Sequence, residues 1–474
     1  MKQTIVLIII MLYAFSKVQC QKSLPVITYS TYYGSMGTDD ADAVTVDLDG
    51  NIYLGCHSNS SNLPRVEKNP YTLKGGMDAF LIKLNAKGDK VAYLAQFGGS
   101  KWDAIQGLIS DDKGNIYAVG TTYSQDFPIH KNGFQTKFGG KSDAFLLKIN
   151  SLGELVWSTF LGGSQDEDGR DVKIDRQGNV HIIGRTESSD FPISDNAFQS
   201  RLAGGRDVFI TTFNSKGKLL MSTCLGGSGN DTGFSLAIDS MGRCIISGTT
   251  DSSDFPIKSP LQESNSGAND IFLAVFDKTL SNLEFSSYLG GKENDQLYGI
   301  DIGPKGDIFL MGMTSSLDFP TTKDSFQTTF NGERDVFVTR LNLRKNRIVY
   351  STYLGGKSAE SPRNFVVDKK GIAYIIGQTN SSNFPIVSNQ KVKLNGRSDA
   401  FITMLNSKGS FLIYSNIFGG EGTEMFEGIA IGADGALTLS GLSNSKDFPV
   451  KNSIQDTFMG GRFDIVVMRL NGLN

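Results

Sequence analysis

Apolar and polar residues alternate along this chain in short runs, and the runs come in fours. Between residues 105 and 161 they are Ile105–Asp111, Asn115–Thr122, Asp143–Ile149 and Glu154–Leu161. A period of two over seven or eight residues is that of a half-buried strand, and no stretch sustains the 3.6-residue period of a helix. Turn chemistry separates the runs. Asp111-Asp112-Lys113-Gly114-Asn115 joins the first pair and Asn150-Ser151-Leu152-Gly153 the last, each with a Gly for a positive φ. A loop of about 20 residues joins the second run to the third. The unit is an antiparallel meander of four strands.

The meander repeats. Asp-Phe-Pro stands at 126–128, 190–192, 254–256, 318–320 and 447–449, with variants Asn62-Leu63-Pro64 and Asn383-Phe384-Pro385; the prolines are 64 residues apart, once 65. A Gly column (Gly34, Gly98, Gly162, Gly226, Gly290, Gly355, Gly419) keeps the same step. So does an Asp opening each third strand: Asp78, Asp143, Asp207, Asp270, Asp335, Asp399, Asp464. Seven four-stranded units form either an open solenoid or a closed propeller. The ends decide. Residues 28–34 read as a fourth strand like Val349–Gly355, whereas the chain finishes on a third strand, Asp464–Leu470. Pairing the two closes a ring and removes an exposed edge. The expectation is an all-β fold, a single seven-bladed β-propeller over 21–474 with its core at 27–471, closed by the N-terminal strand.

The segments Gly114–Pro128, Asp143–Asn150 and Tyr350–Gly356 resemble the bacterial SBBP β-propeller repeat. The resemblance covers nearly the whole chain after residue 20. It implies a secreted or cell-surface propeller and supplies no family-wide catalytic residues.

Loops after the second and fourth strands share one rim, the usual binding side of a propeller. Just before each innermost strand stands a carboxylate: Asp39, Asp103, Glu167, Asp231, Asp295, Glu360 and Glu424. Ringing the channel mouth, they would hold Ca²⁺ or a basic partner; turned inward, they would cap loop N–H groups. Charges ~10 Å apart in water repel by only about 0.4 kcal/mol, so a solvated ring needs no metal. The Asp-Phe-Pro loops and third-strand aspartates recur too regularly for a ligand and read as scaffold. The turn 47–51 reads as a hairpin, since it lacks the remaining ligands of a calcium loop.

Function belongs where the repeats differ. The axis-facing column of the inner strands is small at Ala43, Gly107, Ser235, Gly299 and Gly428, and departs at Asp171 and Asn364, with Lys173 and Asp301 two positions on. Arg170, Asp171 and Lys173 form the densest charged group near the axis, where they pair with one another or meet a ligand. Trp102, Tyr298 and Phe426 at the loop-to-strand junctions are candidates to stack on a sugar or peptide.

Composition narrows the function. Gly at 54 of 474 residues, with 12 Pro and 31 Phe, fits many tight turns between ordered strands. A net charge of −3 excludes a globally basic nucleic-acid binder but not a local patch. The three His occupy unrelated positions, and no nucleophile elbow, P-loop or dinucleotide fingerprint occurs. Residues 1–20 have the layout of a signal peptide cleaved near Cys20, with lipidation of Cys20 the alternative. No later run spans a bilayer. Cys56, Cys224 and Cys244 read as buried free thiols. These features predict a monomeric, non-catalytic protein, extracellular, surface-bound or periplasmic, without an organic cofactor, that binds a protein, peptide or glycan. The alternative is a polysaccharide hydrolase or lyase using channel carboxylates.

Overall fold

The computed structural model describes residues 25–64, 71–388 and 393–472; the signal-peptide reading falls outside them. Its strands form seven antiparallel sheets of four. Six sheets are continuous in sequence: blades 1 to 6 span 39–97, 103–161, 167–225, 231–289, 295–354 and 360–418. Blade 7 takes three strands from 424–471 and its outer strand from Val26–Tyr33, which pairs antiparallel with Asp464–Asn471.

The closing strand makes the same tyrosine contacts as the outer strand of blade 4. Tyr32 Oη donates to the Ser445 carbonyl (2.6 Å) and accepts from Phe448 N–H (3.0 Å). Tyr288 does the same in blade 4 with Ser252 (2.8 Å) and Phe255 (3.1 Å). The ring therefore closes with the register the sequence offset demands.

Seven hydrophobic clusters fill the seven junctions, each drawing on two neighbouring blades. The phenylalanines of Asp-Phe-Pro sit in them: Phe127, Phe191 and Phe319 stack on Phe145, Phe209 and Phe337 with centroids 4.5–4.8 Å apart. Burying one such ring contributes about 2–3 kcal/mol. Cys56, Cys224 and Cys244 are buried and free, and burial alone raises the Cys244 thiol to about 12. Hairpin turns behave as expected: Gly114 takes φ 73°, and Asp111 Oδ1 accepts from Lys113 N–H (3.0 Å) and Asn115 N–H (2.9 Å). The 47–51 turn repeats this geometry through Asp47. Among the described residues no helix is long and apolar enough to cross a membrane.

Candidate functional site

Two columns of the inner strands, three residues apart, have opposite fates. The first is the carboxylate column. All seven members are at most 1% exposed, and each accepts from the backbone N–H four residues earlier at 2.7–3.0 Å. A hydroxyl at or just past the end of the neighbouring second strand completes the brace, as Ser124 does for Asp103 (2.9 Å) and Thr186 for Glu167 (2.6 Å). The expected ring at the channel mouth is thus a collar beneath the loops, and none of it lines the axial cavity. Third-strand aspartates close the same junctions. Asp143 accepts from Gly139 N–H (2.9 Å), and a Cβ on Gly162 would lie 2.6 Å from Asp143 and 2.7 Å from Glu167. That squeeze explains the Gly column.

The second column lies at a β-bulge. In every blade the pairing of the first two strands slips by at least one residue just inside the loop. A bulge re-aims a side chain. The slipped residues are Asp42, Gln106, Arg170, Phe234, Tyr298, Arg363 and Glu427, and all seven line an axial cavity of about 400 Å³. They touch in chain order. The Gln106 amide oxygen, turned to satisfy its neighbours, meets Arg170 Nη1 at 3.2 Å. Arg170 lies over Phe234 (5.7 Å), Phe234 beside Tyr298 (6.5 Å, 26°) and Arg363 over Tyr298 (5.9 Å). Arg363 Nε then reaches Glu427 Oε1 at 3.6 Å.

Two segments, 156–192 and 349–385, match the family model for the SBBP β-propeller repeat. The chain carries the SBBP repeat. The regulatory protein FlaEY of Caulobacter vibrioides is 21% identical over 433 residues, which cover 86% of this chain and 43% of FlaEY, so the chain spans less than half of that relative. Among solved structures, a Dyadobacter fermentans protein of unknown function overlaps at 12% identity and TM-score 0.43, covering 94% of this chain and 99% of the other. The Pan2 WD40 domain of Neurospora crassa overlaps at 10% and 0.44, covering 92% and 89%. At these values the overlaps carry no functional argument.

Within this SBBP-repeat propeller, six of the seven expected ligand contacts converge: Arg170, Asp171, Lys173, Tyr298, Asp301 and Asn364 all line the axial cavity. Their roles differ. Asp171 pairs with Lys173 (2.6 Å) and clasps the next blade through Ser235 Oγ (2.9 Å) and Leu236 N–H (3.1 Å). Asp301 likewise accepts from Val367 N–H (2.7 Å), and burial raises its carboxyl to about 6. Arg170 turns away from Asp171 to pair with Asp168. Trp102 lies off the axis against His57 (5.9 Å) and Tyr123 (5.8 Å). Phe426, expected to be exposed, is fully buried, because it precedes the bulge and packs between blades 6 and 7.

Sequence alternation missed Asp42, Gln106, Phe234, Arg363 and Glu427. A strict period of two assigns the axis to the position after each of them; the bulge adds one residue and brings them there too. The signal was a column exactly three residues past a constant carboxylate that reads differently in almost every unit.

The SBBP-repeat ring is electrically sided. Asp40, Asp42 and Glu427 bring carboxylate oxygens within 4.8 Å of one another, close enough for a shared cation. Positive charge is already present. Burial opposes the His57 cation, but Asp42, 3.1 Å from its Nδ1, and then Asp40 outweigh that and raise the imidazole to about 9. Burial, then Asp40 and Asp42, push Glu427 well above the carboxylate range.

Proposed function

We propose that this protein is a non-catalytic binding module that captures its ligand on the loop-rich face, at the mouth framed by the bulged residues. One observation carries the reading: a scaffold repeated seven times delivers seven side chains to one cavity, and those are the ones that vary. Uniform positions hold a ring together; varied positions discriminate a ligand. A cavity of about 400 Å³ falls within the ~300–1,000 Å³ of small-ligand sites. Export past a signal peptide cleaved near Cys20 places that binding outside the cytoplasm, and the regulatory name of the Caulobacter relative is compatible with such a role.

A polysaccharide hydrolase or lyase is the second reading, favoured by Asp42 and Glu427 reaching the cavity beside Arg170 and Lys173. The test exposes the purified protein to glycans and peptides and maps protection by hydrogen exchange. Uncleaved ligand protecting the loop-rich face supports binding. Protection confined to the hairpin-turn face overturns it, and release of reducing ends or unsaturated products supports the enzyme.

A further inference from the structure

The axial cavity continues over blades 3 to 6, where a second depression of about 900 Å³ shares Arg170, Phe234, Tyr298 and Arg363 with it. Its wall adds Arg185, Arg206 and Arg334. Five guanidinium groups thus gather in one sector of a chain whose net charge is −3.

Their fixed partners are fewer. Arg170 and Arg185 share Asp168. Arg206 is held by Glu187 at 2.9 Å. Arg363 Nε donates to Met425 Sδ at 2.9 Å and stands 3.6 Å from Glu427, its one ion-pair partner among the described residues. Arg334 is exposed and has no ion pair among the described residues, and Arg170 Nε is buried without a hydrogen-bond partner. Asp251 and Asp295 also line the depression, Asp251 accepting from the Asn230 amide at 3.0 Å, so the positive charge left over is centred on Arg334 and Arg363, whose planar forks fit carboxylate and sulfate.

The rest of the wall specifies more than an anion. Phe234 and Tyr298 stack side by side, with Arg170 over the first and Arg363 over the second, and the pair forms an aromatic wall shared by both cavities. Amides and hydroxyls at Asn230, Asn269, Asn294 and Thr249 fill the outer wall. Such groups both donate and accept, as sugar hydroxyls do.

From this juxtaposition we infer that the ligand is an anionic polysaccharide, seated with its acid groups on the arginines and a sugar face on Phe234 and Tyr298. The inference rests on the binding reading above and names its ligand class. Uronic-acid and sulfated chains share the chemistry. A nucleic acid fits less well, because a phosphate backbone is held by many distributed cations and this chain has a net charge of −3.

Affinity electrophoresis of the mature protein through gels containing polygalacturonate, dextran sulfate, neutral dextran, polyglutamate or single-stranded DNA tests it. Retardation by polygalacturonate or dextran sulfate, weakening as salt rises, is expected, and neutral dextran should do nothing; which of the two retards more tells carboxylate from sulfate. Arg334→Glu and Arg363→Gln should each weaken retention about tenfold. Tyr298→Ala should weaken it too, and Lys369→Ala on the hairpin-turn face should not. Arg334 is exposed, so its variant folds. Retention by neither anionic polysaccharide, preference for polyglutamate or single-stranded DNA, or indifference to both arginine changes overturns the inference. If hydrogen exchange still maps some other ligand to the loop-rich face, the ligand class fails and the binding reading stands.

Discussion

Three residues separate the two columns that matter most in this ring, and they have little in common but their position in the repeat. The carboxylate column is constant, buried and bonded to loop N–H groups and hydroxyls of its own junction. The bulge column reads Asp, Gln, Arg, Phe, Tyr, Arg, Glu around the axis and faces a cavity. A repeat protein separates its tasks this way because each blade must solve the same packing problem, whereas only the ring as a whole meets a ligand. Rotating one strand position by a bulge is enough to move a side chain from the first task to the second.

The sharpest test sets one column against the other within a single blade. Asp103→Ala strands Gly99 N–H and the hydroxyls of Thr122 and Ser124 in a buried site, at a cost of about 3 kcal/mol. Gln106→Ala, three residues on, should stay within about 0.5 kcal/mol. Urea denaturation followed by fluorescence measures both. Equal losses would mean that the bulge column is scaffold as well.

Acidity probes the buried carboxylates of the collar together with the third-strand aspartates that close the same junctions. Burial, the largest influence, raises Asp143, Glu360 and Asp464 to about 7 and Asp231, Asp295 and Asp335 to about 6. A folded-state value above the unfolded one means that the native protein binds protons more tightly. The stability this gives is complete below the unfolded value near about pH 4 and is lost as pH rises through 6 to 7. Turn aspartates oppose it in acid: burial would raise Asp175, but His181 and Asn179 hold it at about 2, so its contribution disappears only as pH falls towards that value. Melting temperature should therefore peak near about pH 5 and decline by several degrees towards pH 8. Asp143→Asn should flatten that decline, and a melting temperature that climbs from pH 5 to 8 would show the collar to be ionised throughout.

The two columns were unequally legible. Periodicity, turn residues and the offset between the ends of the chain gave the blades, their number and the closing strand, because each rests on local geometry that a single chain records. The carboxylate column was found from its constancy, but its direction was not, since seven acids capping N–H groups and seven acids facing solvent are the same letters. The axial site was half legible. Asp171, Lys173, Asp301 and Asn364 break a run of small residues and stand out. Phe234, Arg363 and Glu427 sit where alternation assigns a buried face, and only the slipped pairing brings them to the axis.

Smaller effects sharpen the contrast within the bulge ring itself. His57 should matter for the acidic arc and not for the arginine sector. Its raised value stabilises the fold below about pH 6.5, and the benefit is lost as pH rises through about 9. His57→Gln should lower the melting temperature by a few degrees at neutral pH and hardly at all at pH 10, and it should leave polysaccharide retention unchanged. An equal loss at both values would mean that His57 acts by packing against Trp102 rather than by charge.

Calcium gives the smallest expected effect and the cleanest reading of the collar. At Asp103 the Gly99 N–H and the hydroxyls of Thr122 and Ser124 already take three of the roughly four acceptor positions of the carboxylate, too few remaining for the six to eight oxygens a Ca²⁺ ion gathers. Millimolar Ca²⁺ should move the melting temperature by less than about a degree, a screening effect shared with Mg²⁺. A rise of several degrees specific to Ca²⁺ would return metal binding to consideration, and variants would locate it. Loss of the rise in Glu424→Gln would place the ion in the collar. Loss in Glu427→Gln would place it in the acidic arc with Asp40 and Asp42, where the three oxygens already converge.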